Sequence, residues 1–248
     1  MTTDDRVSAV YDQDVSELYE LFYAGRGQDF AADGGILAEV ILDRYPGADS
    51  VLDVGCGTGS HLQSLAKRFG EVAGVELSES MCALARARLG GAPVHQGDMR
   101  DFDLGRTFGA VCCLTSTIGY SRDTAELEGA VRTMARHLEP GGVLVIDPYW
   151  TPGNFLDGHV GHDVVRDESR TVARLSTSTR TGTSVRHEAH YLVADAGGIR
   201  HLTHVQPLTL FTHEEYLTAL EHAGCAAEHL RRDGGFVHRG LFVGVRRG

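Results

Sequence analysis

Asp53, Glu76 and the pair Asp98-Met99 stand at the ends of three short apolar runs, and Gly55-Cys56-Gly57-Thr58-Gly59 lies between the first two. Glycines at alternate positions let bare backbone touch a ligand, and a helical pattern opens directly afterwards at Ser60. Glu76 ends the run from Glu71, where a carboxylate can accept from both hydroxyls of a ribose more strongly than Asn or Gln could. Asp98 beside Met99 suits an exocyclic amine and the face of an adenine ring. The spacing is GxGxG: the third glycine of a dinucleotide fingerprint would fall at Ser60, which argues against a nicotinamide cofactor.

Later elements must complete this cradle. Ala110 to Leu114 reads as a fourth strand, followed by the small, uncharged stretch Thr115 to Tyr120. Leu138-Glu139-Pro140-Gly141-Gly142 is a helix stop and turn before a fifth buried strand ending at Asp147. With these features in order, residues 50 to 150 resemble a class I methyltransferase dependent on S-adenosylmethionine (SAM). Asp147-Pro148-Tyr149-Trp150 is similar to the D/N-P-P-Y signature of nucleic-acid amino-methyltransferases, but that signature ends the fourth strand and this one ends the fifth.

At 248 residues and 42% hydrophobic content the chain can bury a full core. A formal net charge of -11 with no lysine or arginine track disfavours DNA or RNA. No stretch has signal-peptide or membrane-span character, so a cytoplasmic protein is expected. The five cysteines lack metal-like spacing, and Cys112 and Cys113 should point to opposite faces of one strand. Cys56 suits the glycine turn by its small size. His187/His190 and His201/His204 would also point to opposite faces, so no metal is expected.

The expected fold is α/β: a Rossmann-like core with an N-terminal helical cap and an inserted antiparallel β lid. Residues 1–45 form the cap, 46–150 and 212–248 the core, and 151–211 the lid. Val15, Leu18, Tyr19 and Phe22 recur at helical spacing, as do Ile36, Leu37, Val40 and Ile41, with a loop from Tyr23 to Phe30 between them. Three lid strands are predicted, over 171–180, 184–194 and 199–210. Period-two alternation groups Arg174, Ser176 and Ser178 on one face, and Arg186, Glu188 and His190 on one face of the next strand. Thr212 and Glu215 form a capping box.

Closer still, Tyr11, Glu17 to Glu20, Phe22 to Phe30, Gln96 to Phe102 and Arg239 to Val245 resemble the amino-sugar N,N-dimethyltransferases of macrolide biosynthesis. The resemblance covers nearly the whole chain. It implies SAM as donor and, as acceptor, the amine of a small molecule, an amino sugar linked to a nucleotide, in antibiotic biosynthesis. N-methylation of a mature antibiotic scaffold such as a lincosamide, and O-methylation of a small metabolite, stay open, as does a homodimer; a non-catalytic SAM-binding regulator would need a closed cavity.

The resemblance implies Tyr11, Tyr19 and Arg26 near the methionine end of SAM, with Asp53, Gly55, Cys56, Gly57, Glu76 and Leu77 around the ribose and glycine turn, and Asp98, Met99 and Leu114 completing the cofactor set. It implies Tyr23 at the sugar or its diphosphate, Arg174, Arg186 and Arg239 as diphosphate ligands, and Tyr149, Trp150 and His190 on the acceptor wall. Tyr11, Tyr120 and Asp147 are the candidates for proton chemistry; against that, Tyr11 could be a packed aromatic on a capping helix, Tyr120 the pocket floor and Asp147 a turn cap. Three departures lie on the acceptor side. Tyr120 stands where the family has His, Asp147-Pro148-Tyr149-Trp150 replaces Glu-Pro-Trp-Trp, and Gly234-Gly235-Phe236-Val237-His238 replaces Gly-Gly-Pro-Ser-Gly.

Overall fold

Strands with apolar residues on both faces form the central sheet, because each face is covered by helices. In the computed structural model, which describes residues 13–231 and 239–248, β1 (Ser50–Val54), β2 (Glu71–Glu76), β3 (Val94–Gln96), β4 (Phe108–Cys113) and β5 (Leu138–Ile146) run parallel. β11 (Leu241–Arg246) pairs antiparallel with β5, and β10 (Cys225–Leu230) with β11, giving the order β10-β11-β5-β4-β1-β2-β3. Strand order reverses between β1 and β4, so their carboxyl ends open the crevice where such sheets bind ligands. Tyr11 and residues 234–238 lie outside the described residues.

Helices α1 (Gln13–Gly25), α2 (Phe30–Arg44), α3 (Ser60–Leu65), α4 (Glu79–Leu89), α5 (Thr124–Arg136) and α6 (His213–His222) surround this sheet. Leu52, Cys113 and Leu144 pack on one side with Leu127, Val131 and Tyr216, whereas Val51, Cys112 and Val145 pack on the other with Leu37, Ile41 and Leu62. Cys112 and Cys113 therefore point to opposite faces, as their adjacency on a strand requires. Asp29 caps α2 by accepting from the backbone N–H groups of Ala31 and Ala32, and the Thr212/Glu215 capping box opens α6.

The lid is a four-stranded antiparallel sheet of β6 (His159–Arg166), β7 (Arg170–Thr181), β8 (Ser184–Asp195) and β9 (Gly198–Thr209), paired in chain order. β6 is the strand the sequence does not reveal: it is an edge, mostly exposed, with Gly161 interrupting its pattern. The expected loop from Tyr23 is shorter, because α1 continues to Gly25. A Cβ at Gly25 would fall 2.3 Å from Val165 Cγ1, so this glycine lets the helix touch the lid. Leu18 and Phe22 bury against Val165, Val172, Tyr191 and Val193, each worth about 1.5–3 kcal/mol. Glu20 accepts from Ser60 Oγ at 2.7 Å and pairs with Arg88, fastening α1 to the glycine turn as well. No described helix is long and apolar enough to cross a membrane.

Candidate active site

A cavity of about 610 Å³ runs from the carboxyl ends of β1, β2 and β4 to the underside of the lid. On the core side, Gly55, Gly57 and Gly59 hold φ of +73°, +54° and +80°, which glycine adopts at little cost. A Cβ at Gly55 would sit 2.3 Å from Thr117 Cγ2, while nothing lies within 4 Å of one at Gly57, where backbone faces the opening. The two carboxylate oxygens of Glu76 accept from the N–H groups of Gly57 and Ser78, each at 2.9 Å. Lone pairs remain for ribose hydroxyls. Burial raises the Glu76 carboxyl above its ordinary range, opposed by the backbone bonds from Ser78, Gly57 and Leu77.

Leu77, Asp98 and Met99 line the same end, together with Ser78 and Met81. Asp98 is held by the guanidinium and backbone N–H of Arg100, at 2.8 and 2.9 Å, so an adenine amine would share or displace that arginine. Burial raises the Asp98 carboxyl, but the Arg100 hydrogen bonds hold it below the usual range. Three expected cofactor residues support the cradle from beneath. Asp53 is 1% exposed, with its carboxyl pushed to about 7 by burial, His61 and Glu76 acting in opposite directions. Leu114 belongs to the core. Cys56 is buried, its Sγ 2.6 Å from where a Gly74 Cβ would be, and burial lifts its thiol well above the ordinary value. Its role is to fit.

α1 closes the cavity with Tyr19 and Tyr23, whose ring centroids are 4.4 Å apart, and Arg26 follows at its rim. Burial raises both phenols. On the acceptor side, Tyr120 accepts from Gln206 Nε2 on β9, and Asp147, Tyr149, Trp150 and Arg239 complete the wall. Asp147 is 1% exposed, and both carboxylate oxygens accept from Arg239 Nη2, at 3.2 and 3.3 Å. Burial raises this carboxyl and Arg239 pulls it back, with both carboxyl oxygens engaged by the same guanidinium nitrogen.

The lid presents Arg174, Ser176, Ser178, His187 and Gln206 to the cavity. Arg186 and His190 are placed elsewhere: on the outer face, 57% and 46% exposed by side chain, both bound to Glu188. The alternation sorts the faces correctly, but both are polar, and only packing of α1 against the Arg174 face settles which turns inward. His187, directly opposite Ser178, shares that inner face. Guanidinium groups only donate, so His187 Nε2 accepts from Arg174 Nη2 at 2.8 Å and its proton sits on Nδ1, toward Ser178 Oγ at 2.8 Å. Burial and the Arg174 charge push the imidazole down to about 4. No described cluster of His, Cys, Asp and Glu side chains could hold a metal.

Residues 51–142 match the methyltransferase domain family. The chain is 52% identical over 95% of its length, and 99% of the relative's, to dTDP-3-amino-3,4,6-trideoxy-alpha-D-glucopyranose N,N-dimethyltransferase of Streptomyces venezuelae. The X-ray structure of a sugar N-methyltransferase from a Streptoalloteichus species is 62% identical, with 93% of each chain covered and a TM-score of 0.87. The SAM-bound structure of an amino pentose methyltransferase from Micromonospora echinaspora, involved in calicheamicin biosynthesis, is 49% identical over 92% of this chain and 96% of that one, with a TM-score of 0.84. With the glycine turn, Glu76 and Asp98 arranged as described, the chain belongs to the SAM-dependent methyltransferases, in the family of the amino-sugar N,N-dimethyltransferases.

Proposed function

We propose that this enzyme transfers two methyl groups, one per turnover, from SAM to the amine of a nucleotide-linked amino sugar in antibiotic biosynthesis. The observation that carries this reading is identity of 49% to 62% along more than nine-tenths of the chain, lid included, to proteins whose names specify sugar amines. Bound SAM supplies an electrophilic methyl on a sulfonium, and the chain's own residues must hold, orient and desolvate. Glu76 fixes the ribose and Met99 the adenine face. The rings of Tyr19 and Tyr23 favour a cationic donor over its neutral product. A neutral amine held in line about 3 Å from the methyl carbon needs no further activation, and the ammonium formed by the first transfer must release its proton before it can accept a second methyl. Tyr120, its oxygen bound by Gln206, can accept an amine N–H and orient the lone pair. Ser178 and Arg174 face the opposite end of the acceptor, where a diphosphate would lie.

The outer face of the lid exposes Val160, Val164, Leu175, Leu192 and Ile199, a surface on which a second copy could pack; sedimentation of the parent and Leu175→Asp would test this. For the substrate itself, calorimetry on protein saturated with S-adenosylhomocysteine is the test. A TDP-linked amino sugar should bind, and the same sugar without its nucleotide about tenfold or more weaker. Binding of a mature aminoglycosylated antibiotic alone would overturn the assignment.

A further inference from the structure

The loop after β4 is held in a conformation its sequence does not favour. Thr115 and Ser116 have φ of +52° and +63°, the two non-glycine residues with positive φ among those described. For β-branched Thr115 this is costly and persists only where surroundings impose it.

Arg239 imposes it. Its Nε donates to the Pro148 carbonyl at 2.9 Å, and its Nη2 donates to Ser116 Oγ at 3.2 Å and to Asp147. Ser116 Oγ in turn donates to the same Pro148 carbonyl at 3.2 Å. One guanidinium thus ties the strained turn to the end of β5. Asp147 supplies the buried countercharge that keeps the arginine there, and its carboxyl is also bound by the Ser116 backbone N–H.

The position of the turn gives the clamp its function. Thr117 fills the space above Gly55 on the cofactor side, while a Cβ at Gly119 would lie 3.0 Å from Tyr149 Cβ on the acceptor side. Thr115 and Ser116 therefore line the boundary that a methyl group must cross. A displacement of about 1 Å there can cost a hundredfold in rate.

We propose that Arg239 is a positioning residue: it pins the Thr115–Ser116 turn between the two halves of the cavity and does not serve as the acceptor's anion ligand. The kinetic arm of the test rests on the methyl-transfer reading above; the spectroscopic arm does not. Trp150 is the chain's single tryptophan, and the Arg239 guanidinium stands 5.4 Å from its ring centroid, so its emission reports the clamp with no substrate present.

Arg239→Gln, Ser116→Gly and the double variant should be compared. Ser116→Gly keeps the backbone conformation at little cost but removes the hydroxyl, and it serves if Arg239→Gln fails to fold. Arg239→Gln should lower kcat about tenfold to a hundredfold, with KM for the TDP-amino sugar within about twofold of the parent. Ser116→Gly should lower kcat by a smaller factor of about three to ten, and the double variant should be no worse than Arg239→Gln alone. Trp150 emission should change in both single variants before any acceptor is added. A KM raised about tenfold or more at unchanged kcat and unchanged emission would make Arg239 a substrate ligand and overturn the proposal. Additive losses in the double variant would overturn it as well. If no amino sugar accepts a methyl, the emission of the two variants still decides the clamp.

Discussion

The two halves of the cavity are built by different rules. The cofactor half gathers the ends of parallel strands, where the chain must turn and where Gly55, Glu76 and Asp98 are fixed by the sheet order itself. The acceptor half is made by an antiparallel lid, in which every strand offers two faces and packing alone selects one. Chemistry at strand ends is anchored by topology; chemistry on a lid face depends on what the face packs against.

The largest consequence falls on the cofactor half. Glu76→Ala removes a carboxylate that accepts from the glycine turn and is proposed to hold the ribose, so SAM affinity measured by calorimetry should fall by about 1.5–3 kcal/mol, roughly tenfold to a hundredfold. Unchanged affinity would place the ribose elsewhere. Arg174→Ala and Arg186→Ala set one lid face against the other. Steady-state kinetics should show KM for the nucleotide sugar raised about tenfold by the first, within about twofold for the second, and KM for SAM unchanged in both. The reverse pattern would put the acceptor on the outer face.

The smallest effect concerns stability and pH. The folded His187 imidazole is held near 4, below the roughly 6.5 of an unfolded chain. Above that upper value both states are neutral and nothing is lost. As pH falls from about 6.5 toward 4, the unfolded chain takes up a proton that the folded one refuses, so stability declines through that window. His187→Gln should remove this loss. Between pH 7 and 5 its melting temperature should drop less than the parent's by about 2–4 °C, for about 1 kcal/mol after allowing for partial exposure. Equal drops would show that burial and the Arg174 charge do not hold His187 neutral.

The same contrast explains what could be read from residue order. Glu76 and Asp98 end apolar runs, and the GxGxG spacing distinguishes their cradle from a dinucleotide site, so sheet, cofactor and family follow. Asp53, Cys56 and Leu114 sit within the same motifs yet turn under the cradle, because a strand end places alternate residues above and below. Arg186 and His190 lie on the outer face of the lid, which is as polar as the inner, so residue type alone separates neither them nor His187 and Gln206 from their neighbours. The left-handed turn at Thr115 and Ser116 has no local signal at all. Arg239, which braces it, is 123 residues from Ser116.

The most direct test is transfer of labelled methyl from SAM to a TDP-linked amino sugar, with products resolved by mass, run beside mature aminoglycosylated antibiotics. A mono- and then a dimethylated TDP-sugar are expected, with the antibiotics untouched. Methylation of an antibiotic with no TDP-sugar accepting even one methyl would contradict the proposed function.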